Sequence, residues 1–296
     1  MESNNILLLF DQFIDQYPND ESCLKHLFYE KWEKGFHCIR CNRKKYCGGV
    51  KKYDRRCTAC GYVQSPTANT LFHKVKFSLQ KAFYIVYSVA SQPYGIHSTD
   101  LSKSLQLRQK TVWHFIQKVK LAMEPFLHAD KLNGAVEINL YPITVKNYKD
   151  QRKPSLEKKT ILMAMEKKEG KINRIQGIYT DKIDKSTLTN FIQHYIDDDA
   201  VFSMDLIYQN HTKSDFSYEY IVEDEIENYF PSHADDLTPA INHWLRNIPG
   251  KNKILQKYLF EYCYRYNHHR SIEDPFQILL KRMMQRDSTI QDQFSP

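Results

Sequence analysis

The chain has 296 residues, of which 42% are hydrophobic and 26% charged, the composition of a globular protein with two or three small domains. Only 9 residues are Gly and 11 are Pro, which excludes collagen-like and low-complexity classes, and the net charge of +7 permits a nucleic-acid partner. The longest apolar run near the start, residues 6–10, is too short to cross a bilayer, so we expect a cytoplasmic protein without a membrane partner.

The charge is distributed unevenly along the chain. Residues 31–81 contain 13 Lys or Arg and 2 Asp or Glu, a balance of +11. Residues 191–240 contain 1 Lys and 12 Asp or Glu, a balance of −11. A polyanion would bind the first region and be repelled by the second, unless metal ions neutralise the acids there. The alternative is that the acidic stretch is only a solvated face.

Two Cys-x-x-Cys pairs, separated by fifteen residues, predict a zinc ribbon. The pairs consist of Cys38, Cys41, Cys57 and Cys60. Four thiolates fill a tetrahedral shell, which leaves no open coordination position and so indicates a structural zinc ion. His37 and Cys47 remain open as substitute ligands, and a set of buried or redox thiols is the alternative interpretation.

Basic side chains around the cysteines predict contacts to DNA phosphates. The residues that we assign to this role are Arg43, Lys44, Lys45, Arg55 and Arg56. A ribbon that binds another protein is the alternative.

The segment after the ribbon has the pattern of a helix-turn-helix. Apolar spacing predicts a helix over residues 77–91, a short helix that contains Leu101 and Leu105, and a longer helix over residues 108–123. The start of the longer helix carries side chains that read base edges or hold phosphates. They are Arg108, Gln109, Lys110, Thr111, His114 and Lys118. Any small helical bundle gives a similar pattern, so that alternative stays open.

The second half of the chain alternates strand and helix patterns and predicts an α/β or α+β sheet domain. The predicted strands are residues 134–143, 159–166, 171–179, 200–206 and 218–222, and the predicted helices are residues 186–196, 236–247 and 253–267. Nucleases of the ribonuclease H-like class place acidic residues on the first and fourth strands and on a following helix, where two metal ions support phosphoryl transfer.

Three stretches in fixed order carry a family resemblance: residues 65–72 (SPTANTLF), residues 131–138 (KLNGAVEI) and residues 257–270 (KYLFEYCYRYNHHR). Over about residues 20–270 the chain resembles the bacterial insertion-sequence transposases that have an N-terminal zinc ribbon and a DDE-type catalytic domain. The resemblance implies a multidomain α+β protein with a zinc ribbon, a helix-turn-helix and a ribonuclease H-like α/β domain built on a mixed sheet. The expected segments are N-terminal helices (1–34), the ribbon (35–66), the DNA-binding region (67–130), the transposase domain (131–275) and a C-terminal tail (276–296).

The same resemblance implies the catalytic positions, and the chain departs from the family there. The position of the first metal-binding Asp is Asn139, the second is matched by Asp205, and the third falls at Asp235 or Thr238. Loss of one carboxylate weakens a site that must hold two Mg2+ or Mn2+ ions, so we expect weak or lost cleavage and strand transfer. A rewired active site that uses Glu137 is the alternative.

Three functions follow as hypotheses. The first is a transposase-like protein that recognises transposon ends in double-stranded DNA, with Mg2+ or Mn2+ only if it is active. The second is a domesticated, non-enzymatic DNA-binding regulator, and the third is a zinc-stabilised protein-interaction module. We expect the protein to lie in a bacterial cytoplasm near the nucleoid, and a homo-oligomer is left open.

Overall fold

The computed structural model describes residues 13–92, 95–126, 130–147, 155–180, 184–204, 207–211, 237–245, 252–269, 271 and 273–286. The chain forms two compact units, Met1–Ala122 with Ile272–Pro296 and Met123–Ser271. The architecture is mixed α/β, with one three-stranded and one five-stranded sheet. This confirms the predicted mixture of helix and sheet, whereas the predicted domain boundaries stay predictions. Among the described helices, none has the length and apolar character needed to cross a membrane.

The first unit begins with a capped helix and a small antiparallel sheet. Helix α1 (Asp20–Lys31) starts at Asn19, whose side chain accepts a hydrogen bond from the backbone N–H of Ser22 at 2.9 Å. Strands β1 (Tyr46–Gly48), β2 (Arg55–Cys57) and β3 (Val63–Gln64) pair in that order. Gly49 makes the close turn after β1, because a Cβ atom there would lie 2.4 Å from the Cβ atom of Asp54.

Three helices follow in the predicted order: α2 (Leu79–Ser91), α3 (Ser98–Leu105) and α4 (Gln109–Met123). Ser78 caps α2 by accepting a hydrogen bond from the N–H of Lys81 at 3.3 Å. Helix α3 ends at Gln106, which has a φ of 52°, a left-handed conformation that reverses the chain before α4. The helical pattern of the sequence was therefore sufficient to predict this part of the fold.

A helix from the end of the chain completes the first unit. Helix α8 (Pro275–Gln285) begins the segment for which the sequence predicts a tail. Its Phe276 is 1% exposed, and the ring lies 5.5–6.2 Å, centroid to centroid, from four other aromatic rings. Those rings belong to Phe13, Tyr17, Phe83 and Tyr87. Further along α8, the guanidinium Nε of Arg282 donates to the carbonyl of Ala122 at 2.7 Å, so the last helix also holds the end of α4.

The second unit is built on a five-stranded sheet in the order β6-β5-β4-β7-β8. The strands are β4 (Ala135–Asn147), β5 (Ser155–Lys168), β6 (Lys171–Thr180), β7 (Val201–Met204) and β8 (Ile207–His211), and the helices are α5 (Lys185–Tyr195), α6 (Leu237–Leu245) and α7 (Asn252–His268). Strands β4, β5 and β6 are antiparallel neighbours, β7 runs parallel to β4, and β8 is antiparallel to β7. The predicted strand at 218–222 lies outside the described residues.

Side chains on the two faces of β4 pack into two separate hydrophobic clusters of the second unit. Val136, Ile138 and Leu140 pack into a cluster with residues of α5. Tyr141 and Ile143 belong to a second cluster that contains residues of α6 and α7. Successive side chains of a strand point to opposite faces, so β4 is apolar on both sides over most of its length. Glu137 and Asn139 are polar residues on the same face of β4 as Tyr141.

Helix α7 is attached to the edge strand β6 by two amide side chains. Asn267 accepts a hydrogen bond from the N–H of Ile175 at 2.7 Å and donates to its carbonyl at 2.9 Å. Gln256 accepts from the N–H of Tyr179 at 2.6 Å and donates to the carbonyl of Gly177 at 3.2 Å. These bonds satisfy backbone groups of an edge strand that would otherwise be open to pairing.

We predict that Phe276→Ala lowers the free energy of unfolding of the first unit by about 3–5 kcal/mol, because it leaves a cavity among aromatic rings. Urea denaturation, followed by hydrogen exchange at the amides of α2, measures the change. Gln285→Ala is the matched control, since that side chain is exposed at the end of the same helix and should change stability by no more than about 0.5 kcal/mol. A change at Phe276 no larger than the control's would contradict the role of α8 in this core.

Candidate functional site

The two Cys-x-x-Cys pairs form a pair of knuckles with the same backbone hydrogen bonds. In the first, the N–H of Cys38 donates to the carbonyl of Arg43 at 2.9 Å, and Asn42 donates to the carbonyl of Cys38 at 2.8 Å. In the second, the N–H of Cys57 donates to the carbonyl of Tyr62 at 2.9 Å, and Gly61 donates back to Cys57 at 3.0 Å. The residue after each second cysteine is left-handed, with φ of 57° at Asn42 and 70° at Gly61. The repeated turn presents two sulfurs from each knuckle to the same point.

The sulfurs of the four predicted cysteines lie within 4.8 Å of one another and could hold a metal ion such as zinc. The Sγ atoms of Cys38 and Cys60 are 3.6 Å apart, as are those of Cys41 and Cys57. Zinc–sulfur bonds of about 2.3 Å in a tetrahedron place the sulfurs about 3.8 Å apart, so the spacing and the soft thiolate donors both fit zinc. The prediction that these four cysteines come together is confirmed. Cys47 lies on β1 with an exposed side chain, outside this cluster.

Backbone N–H groups that point at the sulfurs favour thiolates. At Cys57, the N–H of Cys60 has the largest effect and, against the opposing effect of burial, lowers the pKa to about 6. At Cys41, the N–H of Arg43 acts in the same direction, but burial and the neighbouring sulfurs outweigh it and raise the pKa to about 12. Four thiolates at these distances repel one another, so full ionisation requires a cation among them.

Arg55 joins the ribbon to helix α1 through aromatic contacts. The centre of its guanidinium lies 4.7 Å from the ring centroid of Phe28, 4.6 Å from that of Trp32 and 4.1 Å from that of Tyr46. Among the predicted phosphate-binding residues, Arg55 is therefore half-buried in packing contacts. The other four, Arg43, Lys44, Lys45 and Arg56, are exposed. Their DNA contacts stay a prediction.

Two lysines hold the segment that follows the ribbon, residues 65–73. Lys31 donates from its ammonium to the carbonyls of Ser65, at 2.8 Å, and Ala68, and burial lowers its pKa to about 8. Lys118 of α4 donates to the carbonyls of Leu71 and His73 at 3.5 and 3.4 Å, and burial lowers its pKa as well. Lys118 is therefore half-buried rather than exposed as the sequence predicts, and its contact with DNA stays a prediction.

The start of α4 exposes most of the side chains that the sequence assigned to DNA. Arg108, Gln109, Lys110 and His114 are exposed, and Thr111 is half-buried. The sequence reasoning missed Trp113, which is 43% exposed and lies 5.0 Å, ring centroid to ring centroid, from His114. Helical spacing could have identified this residue, because positions three and four residues apart share one face of a helix. Trp113 therefore lies on the same face as Gln109 and Lys110.

The catalytic positions implied by the resemblance are only partly described. Strands β4 and β7 are parallel neighbours, with pairing as far as Ile138 and Met204, while Asp205 and Asp235 lie outside the described residues. Asn139 is 2% exposed, and its Nδ2 donates to Oε1 of Glu137 at 2.9 Å. Lys167 forms an ion pair with Oε2 of the same carboxylate.

These side chains do not fit a site for two Mg2+ or Mn2+ ions. Oδ1 of Asn139 is buried and has no hydrogen-bond partner within the part of the chain that the structure describes, so one neutral oxygen could meet a cation. However, the neighbouring carboxylate of Glu137 already contacts an ammonium group and an amide. Hard divalent ions require several anionic oxygens. The described side chains of this strand therefore do not support a metal-dependent step.

No family model, curated protein or solved structure matches the chain. The resemblance to insertion-sequence transposases therefore stays a prediction.

We predict that the purified protein binds one equivalent of zinc and that Cys57→Ser loses the metal and unfolds the ribbon, because the small sheet has little core of its own. Elemental analysis and a zinc-release dye measure the stoichiometry. Cys47→Ser is the matched control, with an exposed sulfur outside the cluster, and should keep its zinc. Equal zinc retention in both variants would remove the assignment of the site.

Proposed function

We propose that this protein binds double-stranded DNA through its ribbon and the α3–α4 pair, as a transposase-like protein that recognises transposon ends or sites derived from them, with weak or lost cleavage. The observation that carries the proposal is the exposed start of α4, where Arg108, Gln109, Lys110 and His114 present donors and cations on one short stretch. Such side chains suit base edges and phosphates in the major groove. The left-handed residue Gln106 supplies the turn between the two helices.

The ribbon supports the proposal as a second basic surface in the same unit. The exposed Lys and Arg side chains of the ribbon lie on short strands and knuckles. The cysteine cluster and the packing around Arg55 hold these elements in place. A rigid frame lets cations contact phosphates without a large loss of side-chain and loop entropy. In this arrangement, the ribbon contributes affinity and register, and α4 contributes sequence preference.

The sheet of the second unit supports the transposase-like part of the proposal. Its first and fourth strands, β4 and β7, are adjacent and parallel, and helix α5 precedes β7. This adjacency is what a ribonuclease H-like arrangement requires, because it brings residues of the first strand beside those of the fourth. The antiparallel β8 is a departure that the proposal does not explain.

The second candidate is a non-enzymatic DNA-binding regulator. The Glu137–Asn139–Lys167 contacts favour it over an active transposase, because they replace anionic oxygens with a neutral amide and an ammonium group. Inverted repeats beside the gene would favour the transposase-like function, and their absence the regulator.

We predict that Lys44→Ala/Lys45→Ala weakens binding to all duplexes and lowers the slope of log K against log salt by up to about 2, since each lost phosphate contact removes about 0.9. Fluorescence anisotropy over a salt series measures the slope. Lys168→Ala/Lys171→Ala removes two exposed lysines from the β5–β6 turn of the second unit and is the charge-matched control. An equal loss in the control would contradict binding through the ribbon.

We predict that Gln109→Ala changes the preferred sequence recovered from a random duplex pool while binding to non-specific duplexes stays within about twofold, because base contacts specify and phosphate contacts position. The neighbouring Lys110→Ala is the comparison and should weaken all duplexes alike. The same recovered sequence for wild type and Gln109→Ala would exclude base reading by this residue.

A further inference from the structure

A chain of polar contacts occupies the face of β4 that the resemblance implies for metal binding. Glu137 and Asn139 are two residues apart, so strand alternation places both side chains on one face. The Asn139 amide donates to one oxygen of Glu137, and the Lys167 ammonium pairs with the other. Each carboxylate oxygen of Glu137 therefore contacts a donor of the protein itself.

The position of Lys167 follows from the register of the sheet. Lys167 lies opposite Ala135 on the neighbouring strand β5, and Met165 lies opposite Glu137. Lys167 is thus a diagonal neighbour of Glu137 on the same face, which is within reach of a long side chain. The pairing of β5 with β6 shifts in register between Glu166 and Lys167.

The surroundings strengthen this ion pair relative to one on an open surface. Met163 and Met165, which lie opposite Asn139 and Glu137, are both fully buried. The Glu137 side chain is 19% exposed and the Lys167 side chain 36%. Charges that are partly removed from water are screened less, so the ion pair between Lys167 and Glu137 is stronger than one in open solvent.

The charge balance of the three groups disfavours a divalent ion. One carboxylate and one ammonium cancel, and the amide of Asn139 adds no charge. A metal ion that approached Glu137 would meet the positive charge of Lys167. If Glu137 turned to ligate the metal, it would also leave a partly buried ammonium without its counter-ion, which is costly.

We propose that Lys167 is a resident cation that takes the place of a divalent metal ion at β4, and that its pair with Glu137 excludes Mg2+ and Mn2+ from this strand. The proposal rests on the transposase-like part of the proposed function, because only that resemblance implies a metal here. Two features therefore oppose metal binding: the neutral amide of Asn139 and the ammonium group of Lys167. Asn139→Asp alone leaves the Lys167 ammonium in place beside Glu137, so both positions must change before a metal ion binds.

The test is a calorimetric titration of the zinc-loaded full chain with Mn2+. We expect Asn139→Asp to bind within about threefold of wild type, and Asn139→Asp/Lys167→Gln to bind about tenfold more tightly or better. Asn139→Asp/Lys167→Arg keeps the positive charge and should stay at the level of Asn139→Asp. Asn139→Asp/Lys168→Gln removes an exposed neighbouring lysine instead and should also stay at that level.

Two results would overturn the proposal: equal Mn2+ affinity of the Gln and Arg double variants, or an Asn139→Asp variant that already binds as tightly as the Gln double variant. Circular dichroism and thermal melting verify that each variant is folded, and Lys167→Met replaces Lys167→Gln if the latter unfolds. DNA affinity is measured in parallel with a random duplex. If the wild type does not bind DNA, the proposed function is contradicted. The comparison of Mn2+ affinities among the variants still tests the role of Lys167 in that case.

Discussion

The crowding of four cysteine sulfurs is the constraint on which the ribbon of the first unit depends. Two knuckles bring sulfurs to 3.6 Å separations, and backbone N–H groups stabilise the thiolate of Cys57. Against the N–H of Arg43, burial and the neighbouring sulfurs raise the pKa of Cys41. A zinc ion could resolve the conflict, since its two charges would offset thiolates and a tetrahedral shell matches the spacing of the sulfurs.

The first unit is discontinuous in sequence, because its N-terminal part is completed by a helix from the end of the chain. The chain leaves the unit at Ala122 and returns at Ile272, and helix α8 then fills a ring of aromatic side chains around Phe276. Leu71, in the turn after the ribbon, donates its N–H to the carbonyl of Met283 at 3.1 Å. An isolated N-terminal fragment would lack these contacts, so tests of the proposed DNA binding require the folded full chain.

In the second unit, Asn139 belongs to a chain of polar contacts on two neighbouring strands. Its amide donates to Glu137, which in turn pairs with Lys167. A buried polar group is costly unless it is bonded, and the contact with Glu137 satisfies Nδ2 of Asn139, whereas Oδ1 has no partner among the described residues. The electrostatic balance at β4 is therefore a property of three residues on two strands.

The sequence by itself determined several of the elements and the cysteine cluster. Cysteine spacing identified the four clustered cysteines because a knuckle is a local structure, and apolar periodicity identified α2, α3, α4 and the β5–β6 hairpin because amphipathic patterns are local as well. Tertiary structure decided which side chains remain available. It placed Arg55 among three aromatic rings and turned Lys118 toward backbone carbonyls, although both look like DNA contacts in the sequence. It also brought Lys167 to Glu137 and Phe276 to Phe83, pairs that are 30 and 193 residues apart, because strand register and helix packing depend on the whole fold.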